Sequence, residues 1–125
     1  MKNQQRKESI QACHPVTEAS AKQFTWGQSC TGWWFLKSED LSVIKEQMPP
    51  GTSEVKHYHA QTTQHFYVLS GQLTIQLSGK IVQLQKDEGF TVWPNVVHCV
   101  RNDSMDVAAF LVISSPGRSD DRVEL

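Results

Sequence analysis

The chain has 125 residues, 38% of them hydrophobic and 20% charged, with 12 Lys+Arg against 13 Asp+Glu for a formal net charge of -1. That length fits one domain with a core of its own and needs no disulfide or metal staple to fold. The balanced charge offers no electrostatic footprint for nucleic acid or an anionic membrane surface, so neither is expected as a partner.

Residues 1–9 are polar and lack periodicity, and read as a tail. The organisation expected is an N-terminal tail and arm over residues 1–20, a barrel over 21–115 and a C-terminal tail over 116–125 that packs over the barrel surface. Strand signals fall at residues 23–26, 33–36, 41–48, 55–59, 65–69, 73–77, 81–84, 90–93, 96–101 and 107–113. Between them lie turn compositions such as Pro49-Pro50-Gly51, Ser70-Gly71, Ser78-Gly79 and Asn102-Asp103-Ser104. Leu73, Ile75 and Leu77 alternate with Thr74 and Gln76, which gives that strand one buried and one wet face. No helical stripe runs long enough to compete, so the pattern predicts a small all-β sandwich or barrel. The longest apolar run, residues 107–113, suits a buried strand and is far too short to span a membrane as a helix.

The N-terminal residues have basic side chains but no apolar run of the signal-peptide kind. Cys13, Cys30 and Cys99 are odd in number and widely spaced, with no CxxC, so free thiols in a reducing cytoplasm are expected.

The stretch from Gly51 to Gly71 carries the chemistry. His57 and His59 stand two apart, so on a strand both imidazoles point to one face, and Tyr58 points to the other. Neutral imidazole is the commonest ligand for late first-row metals. His98, in a second β-rich segment entered through Trp93-Pro94-Asn95, is the expected third imidazole, with Gln64 beside the set. A pair of histidines on a polar sheet face is the plainer alternative. His65 alternates to the opposite face and reads as structural or exposed, and His14 is isolated. Cys99 should turn away from the site that His98 faces. Tyr67 and Trp93 read as core aromatics, with the cavity wall as the alternative. Trp33-Trp34 sends one indole to each face, one to the core and one to a subunit interface. No serine–histidine–acid order, phosphate loop or paired carboxylate stands out.

Two blocks together resemble the cupin superfamily. Gly51, His57, His59, Gln64 and Gly71 follow the spacing of the first cupin motif, and Gly89, Pro94, His98 and Asn102 that of the second. The resemblance implies an all-β double-stranded β-helix of jelly-roll type with a divalent transition metal (Fe, Mn, Ni or Zn) at its centre. It implies His57, His59 and His98 as ligands, with Gln64 at the position of the family's carboxylate ligand. It also implies that Asn102 stabilises a turn through its side chain. Glutamine is a departure: it offers only a neutral carbonyl oxygen, either to the ion or, as the alternative, to a neighbouring histidine or water. A second departure is Asn95 where glycine is common, which Asn tolerates because it enters left-handed backbone more readily than other residues. The reading is a metal-binding small cupin, expected as a homodimer, that binds or acts on a small organic molecule, dioxygenase-like with three histidines. A non-catalytic ligand-binding cupin with a weakened metal site is the alternative, and whether the chain is an enzyme stays open.

Overall fold

The computed structural model describes Ile10, residues 13–118 and residues 120–125; the expected tail over residues 1–9 lies outside them. It is nearly all-β. The strands are β1 (Lys22–Trp26), β2 (Cys30–Lys37), β3 (Ser42–Met48), β4 (His57–His59), β5 (Thr63–Ser70), β6 (Leu73–Leu77), β7 (Lys80–Leu84), β8 (Gly89–Val92), β9 (His98–Arg101), β10 (Ala108–Ser115) and β11 (Arg122–Glu124). One sheet runs β1-β2-β3-β10-β5-β8 and the facing one β11-β4-β9-β6-β7, all pairs antiparallel. Two such sheets closing on each other form the all-β barrel that the strand rhythm predicts, in the jelly-roll arrangement that the resemblance implies.

Alternation decides which side chains enter the barrel. On β6, Leu73 and Ile75 are fully buried. They pack with Met48, Val68, Val100, Ala108 and Phe110 into an apolar core. A cavity adjoins that core, and Phe66 and Val112 belong to both. On β3 the inward row is Ser42, Ile44, Glu46 and Met48, so one carboxylate sits on an otherwise unexposed face.

Turn chemistry holds the strands in register. Gly71 has φ of +77°, and a Cβ there would run into the Val107 carbonyl oxygen, so only glycine fits this turn. Asn95 adopts φ of 70°, the left-handed geometry expected of it. Its amide donates to the His59 carbonyl at 2.7 Å, which ties the turn before β9 to the end of β4. Asn102 is fully buried; its Nδ2 donates to the carbonyls of Met48 and Asp106, both at 2.8 Å. Its Oδ1 accepts from the Ser104 amide and hydroxyl, so the side chain fastens the turn between β9 and β10.

Strands β4 and β9 are shorter than the sequence predicts. Ahead of β9, a turn closed by Val96 N donating to Trp93 O takes residues 96 and 97 out of the ladder. Ahead of β4, Ser53 makes an isolated bridge to Arg101, and the Glu54 amide donates to the Val100 carbonyl at 3.0 Å. Trp93, expected in the core, is 65% exposed, because β8 ends at Val92 and Trp93 opens that turn. Tyr67 is half-buried and donates its hydroxyl to Asp87. The C-terminal residues do more than cover the surface: β11 adds a strand, pairing Arg122 with His59 and Glu124 with His57. The three cysteines are free, and the Cys99 thiol donates to the Glu54 carbonyl.

Candidate metal centre

Backbone register brings the three histidines together. His57 on β4 lies directly opposite His98 on β9, and cross-strand partners share a face. His59 follows two residues on, on the same face. The ring centroids stand 4.4 Å apart for His57–His98, 5.1 Å for His57–His59 and 6.2 Å for His59–His98. All three are buried, at 2%, 5% and 1% exposure for His57, His59 and His98. Gln64, on β5 of the facing sheet, looks across the same cavity as His57 and His59. His65 is turned away; it packs over Gly89, with its Nδ1 2.8 Å from the Thr91 hydroxyl.

The outer ring nitrogens are all engaged. Nδ1 of His57 bonds the Val55 carbonyl at 2.8 Å, and Nδ1 of His98 the Val96 carbonyl at 2.9 Å. Each ring thus uses the carbonyl two residues before it. Nδ1 of His59 lies 3.1 Å from Asp121 Oδ1. Carbonyls and carboxylates only accept, so each Nδ1 carries a proton, and in a neutral ring Nε2 is then the lone-pair nitrogen. Among the described residues, Nε2 of His59, Nε2 of His98 and Oε1 of Gln64 are buried with no hydrogen-bond partner. Gln64 is held with that oxygen free because its Nε2 donates to Ser114 Oγ at 3.3 Å. Orphaned buried polar atoms are rare in folded proteins; beside Thr74 Oγ1 and Trp26 Nε1, those found among the described residues belong to residues the motifs single out. Imidazole nitrogens and an amide oxygen are donors that a divalent ion accepts, so the chemistry of these residues is compatible with one.

Burial sets the protonation states. Desolvation takes the His57 imidazole down to about 3, and the positive Arg122 and the adjacent imidazoles push the same way, against the Val55 hydrogen bond. His98 is lowered by the same main cause. Both rings are neutral at physiological pH, the form that ligates metal.

Several side chains at the site were not legible as such. Asp121 and Arg122 come from the C-terminal segment. Asp121 Oδ2 accepts from the Gln61 and Thr62 amides, both at 2.8 Å, and from the Thr62 hydroxyl at 2.9 Å. Arg122 Nη1 lies 3.3 Å from His57 Nε2. Glu54, His57 and His98 each offer a ligand atom within 4.8 Å of the others. Glu54 lines the same cavity, its Oε1 3.8 Å from His57 Nδ1 while accepting from the Val100 amide at 3.0 Å. Burial pushes Glu54 up to about 7 and Glu46 up to about 8. An acid preceding the His-x-His pair, and one on the inward row of β3, were the available signals.

The cavity measures about 250 Å³, within reach of a small organic molecule. Its apolar wall includes Phe24, Trp26 and Trp34. Gly32 makes room for this wall, since a Cβ there would collide with the Phe24 ring. Trp34, expected at a subunit interface if not in the core, is half-buried against Phe24, with ring centroids 5.7 Å apart.

The family model for the cupin domain matches residues 44–114. The chain belongs to the cupin family. This cupin is 39% identical over 62 residues to quercetin 2,3-dioxygenase of Bacillus subtilis (strain 168), a match covering 50% of this chain and only 18% of that enzyme. It is 34% identical over 99 residues to an uncharacterised protein of Aquifex aeolicus (strain VF5), covering 70% of this chain and 81% of the other. In structure it resembles the polyketide cyclase RemF from Streptomyces resistomycificus, with a TM-score of 0.79 at 15% identity over 90% of this cupin and 85% of RemF. The structural likeness at that identity concerns the fold.

Proposed function

We propose that this cupin is a metal-dependent protein acting on a small organic molecule held in its barrel, with His57, His59, His98 and Gln64 holding the ion. The observation that carries this reading is the set of buried, partnerless acceptors: Nε2 of His59, Nε2 of His98 and Oε1 of Gln64. A bound iron, manganese, nickel or zinc ion would supply Lewis acidity or redox chemistry beside the cavity. The chain's own contribution is to keep His57 and His98 neutral, to fix the three rings' orientation through Val55, Val96 and Asp121, and to present an aromatic wall to the substrate. A dioxygenase-like activity is the finer form of the proposal, supported by the similarity to quercetin dioxygenase over half of this chain.

The test is elemental analysis of protein purified without added metal, beside a His57→Ala/His98→Ala variant. Near-stoichiometric metal in the first and its loss in the second is expected; equal, near-zero metal in both would remove the reading. Ferrous-loaded protein should then consume oxygen with a member of a thiol, diketone and flavonol panel. A non-catalytic ligand-binding cupin is the second reading. It is favoured by Gln64 at the carboxylate position and by Arg122 Nη1 3.3 Å from the lone pair of His57. We further read the protein as a cytoplasmic homodimer, which light scattering and fractionation would check.

A further inference from the structure

Arg122 has a setting that metal ligation does not explain. Strand β11 carries it to the cavity wall, where its side chain is 34% exposed. Its nearest carboxylates are Glu54 Oε2 at 3.9 Å from Nη1 and Glu124 Oε1 at 4.0 Å from Nε. Both distances exceed hydrogen-bond range, and neither contact is the two-pronged pair a guanidinium makes with a committed partner. Among the described residues, the guanidinium's one hydrogen bond is the 3.3 Å contact to the neutral His57 ring. The guanidinium thus faces the cavity with donors to spare. Trp26 Nε1 is likewise buried without a partner, and it belongs to the aromatic wall of the same cavity.

We propose that Arg122 is the residue that selects the ligand of this cavity, and that the ligand is an organic anion with a flat apolar body. Its carboxylate or enolate oxygens pair with the Arg122 guanidinium while its body lies against Phe24, Trp26 and Trp34. A planar fork of donors matches a two-oxygen anion in a way that a lysine or a lone imidazole does not. This rests on the cavity being the small-molecule site, but it does not depend on metal.

The test uses two molecules of nearly the same shape, cinnamate and cinnamamide, titrated calorimetrically into the full chain after chelation, with metal content measured. Wild type is expected to bind cinnamate about tenfold or more tighter than cinnamamide. Arg122→Gln should lose that preference while keeping its hold on the amide. If that variant does not fold, Arg122→Lys should show a reduced preference, because it keeps the charge and loses the fork. Equal affinity for both probes in wild type, no binding of either, a preference surviving in Arg122→Gln, or an unchanged one in Arg122→Lys would overturn the proposal. Because every titration is metal-free, failure of the metal reading would appear in the elemental analysis and leave this result standing.

Discussion

Asp121 Oδ1 lies 3.1 Å from His59 Nδ1, across 62 residues of sequence. The carboxylate fixes the ring's tautomer and turns its Nε2 inward, as outer partners of ligating histidines do. Asp121→Ala should therefore lower metal affinity about 10- to 100-fold. Competition with a chelator of known affinity measures this, and Asp121→Asn should lose less, because its amide oxygen can still accept from Nδ1. An unchanged affinity in the alanine variant would mean that His59 does not ligate.

The same carboxylate makes the fold acid-sensitive. Burial works to raise its pKa, but the Gln61 amide, His59 and both donors of Thr62 outweigh it and hold Asp121 at about 2. A depressed folded pKa stabilises the protein above the unfolded value near 3.8, and that stabilisation disappears as pH falls toward 2. The contribution is on the order of 2 kcal/mol. Thermal melts of wild type and Asp121→Asn should differ at pH 6 and converge near pH 2.

Glu46 has the opposite sign. Burial, aided by Glu54, raises it from 4.5 to about 8. The folded state keeps a proton that the unfolded chain releases, so its contribution is fully present below pH 4.5 and lost as pH rises through 8. Glu46→Gln, neutral at every pH, should melt several degrees above wild type at pH 9, with the gap closing toward pH 5. A constant gap across that range would show that Glu46 ionises as freely in the fold as in the unfolded chain.

Asn102 is worth more to stability than its place in a turn suggests. Removing its side chain strips buried partners from the Met48 and Asp106 carbonyls and from the Ser104 amide. A buried group left without a partner costs about 1–3 kcal/mol, less where water can enter; the Asp106 carbonyl keeps the Ser104 hydroxyl as a donor. Asn102→Ala should lower the unfolding free energy by about 2–4 kcal/mol, read from urea titration, without altering the midpoint's dependence on metal.

The strand rhythm was legible because period-two alternation and turn residues are local signals; β6 falls on the residues expected. The convergence of His57, His59 and His98 was legible through the resemblance of the two blocks to the cupin motifs, and the register of β4 against β9 brings the rings together. What escaped was set by long-range pairing. The three residues of β11 are too few to show alternation, and all three are exposed, so the sequence shows only a charged run. Asp121 and Arg122 gain their roles only when that run docks on β4. Trp93 was misjudged for a related reason: an aromatic beside a strand looks like core until the strand's end is known.

Gln64 offers the sharpest chemical prediction. Its oxygen is buried without a partner, while its amide nitrogen donates to Ser114 Oγ at 3.3 Å. A glutamate in the same rotamer would place one oxygen where Oε1 now stands and let the Ser114 hydroxyl donate to the other, so the substitution fits sterically and in hydrogen bonding. It adds a negative charge beside a dication and neutral imidazoles. Gln64→Glu should therefore bind divalent metal about tenfold or more tighter by calorimetry. In metal-free protein the same change buries an unpaired carboxylate and should lower the melting temperature. Opposite shifts with and without metal are the signature of a side chain facing the ion, and a shift of the same sign in both states would place Gln64 outside its reach.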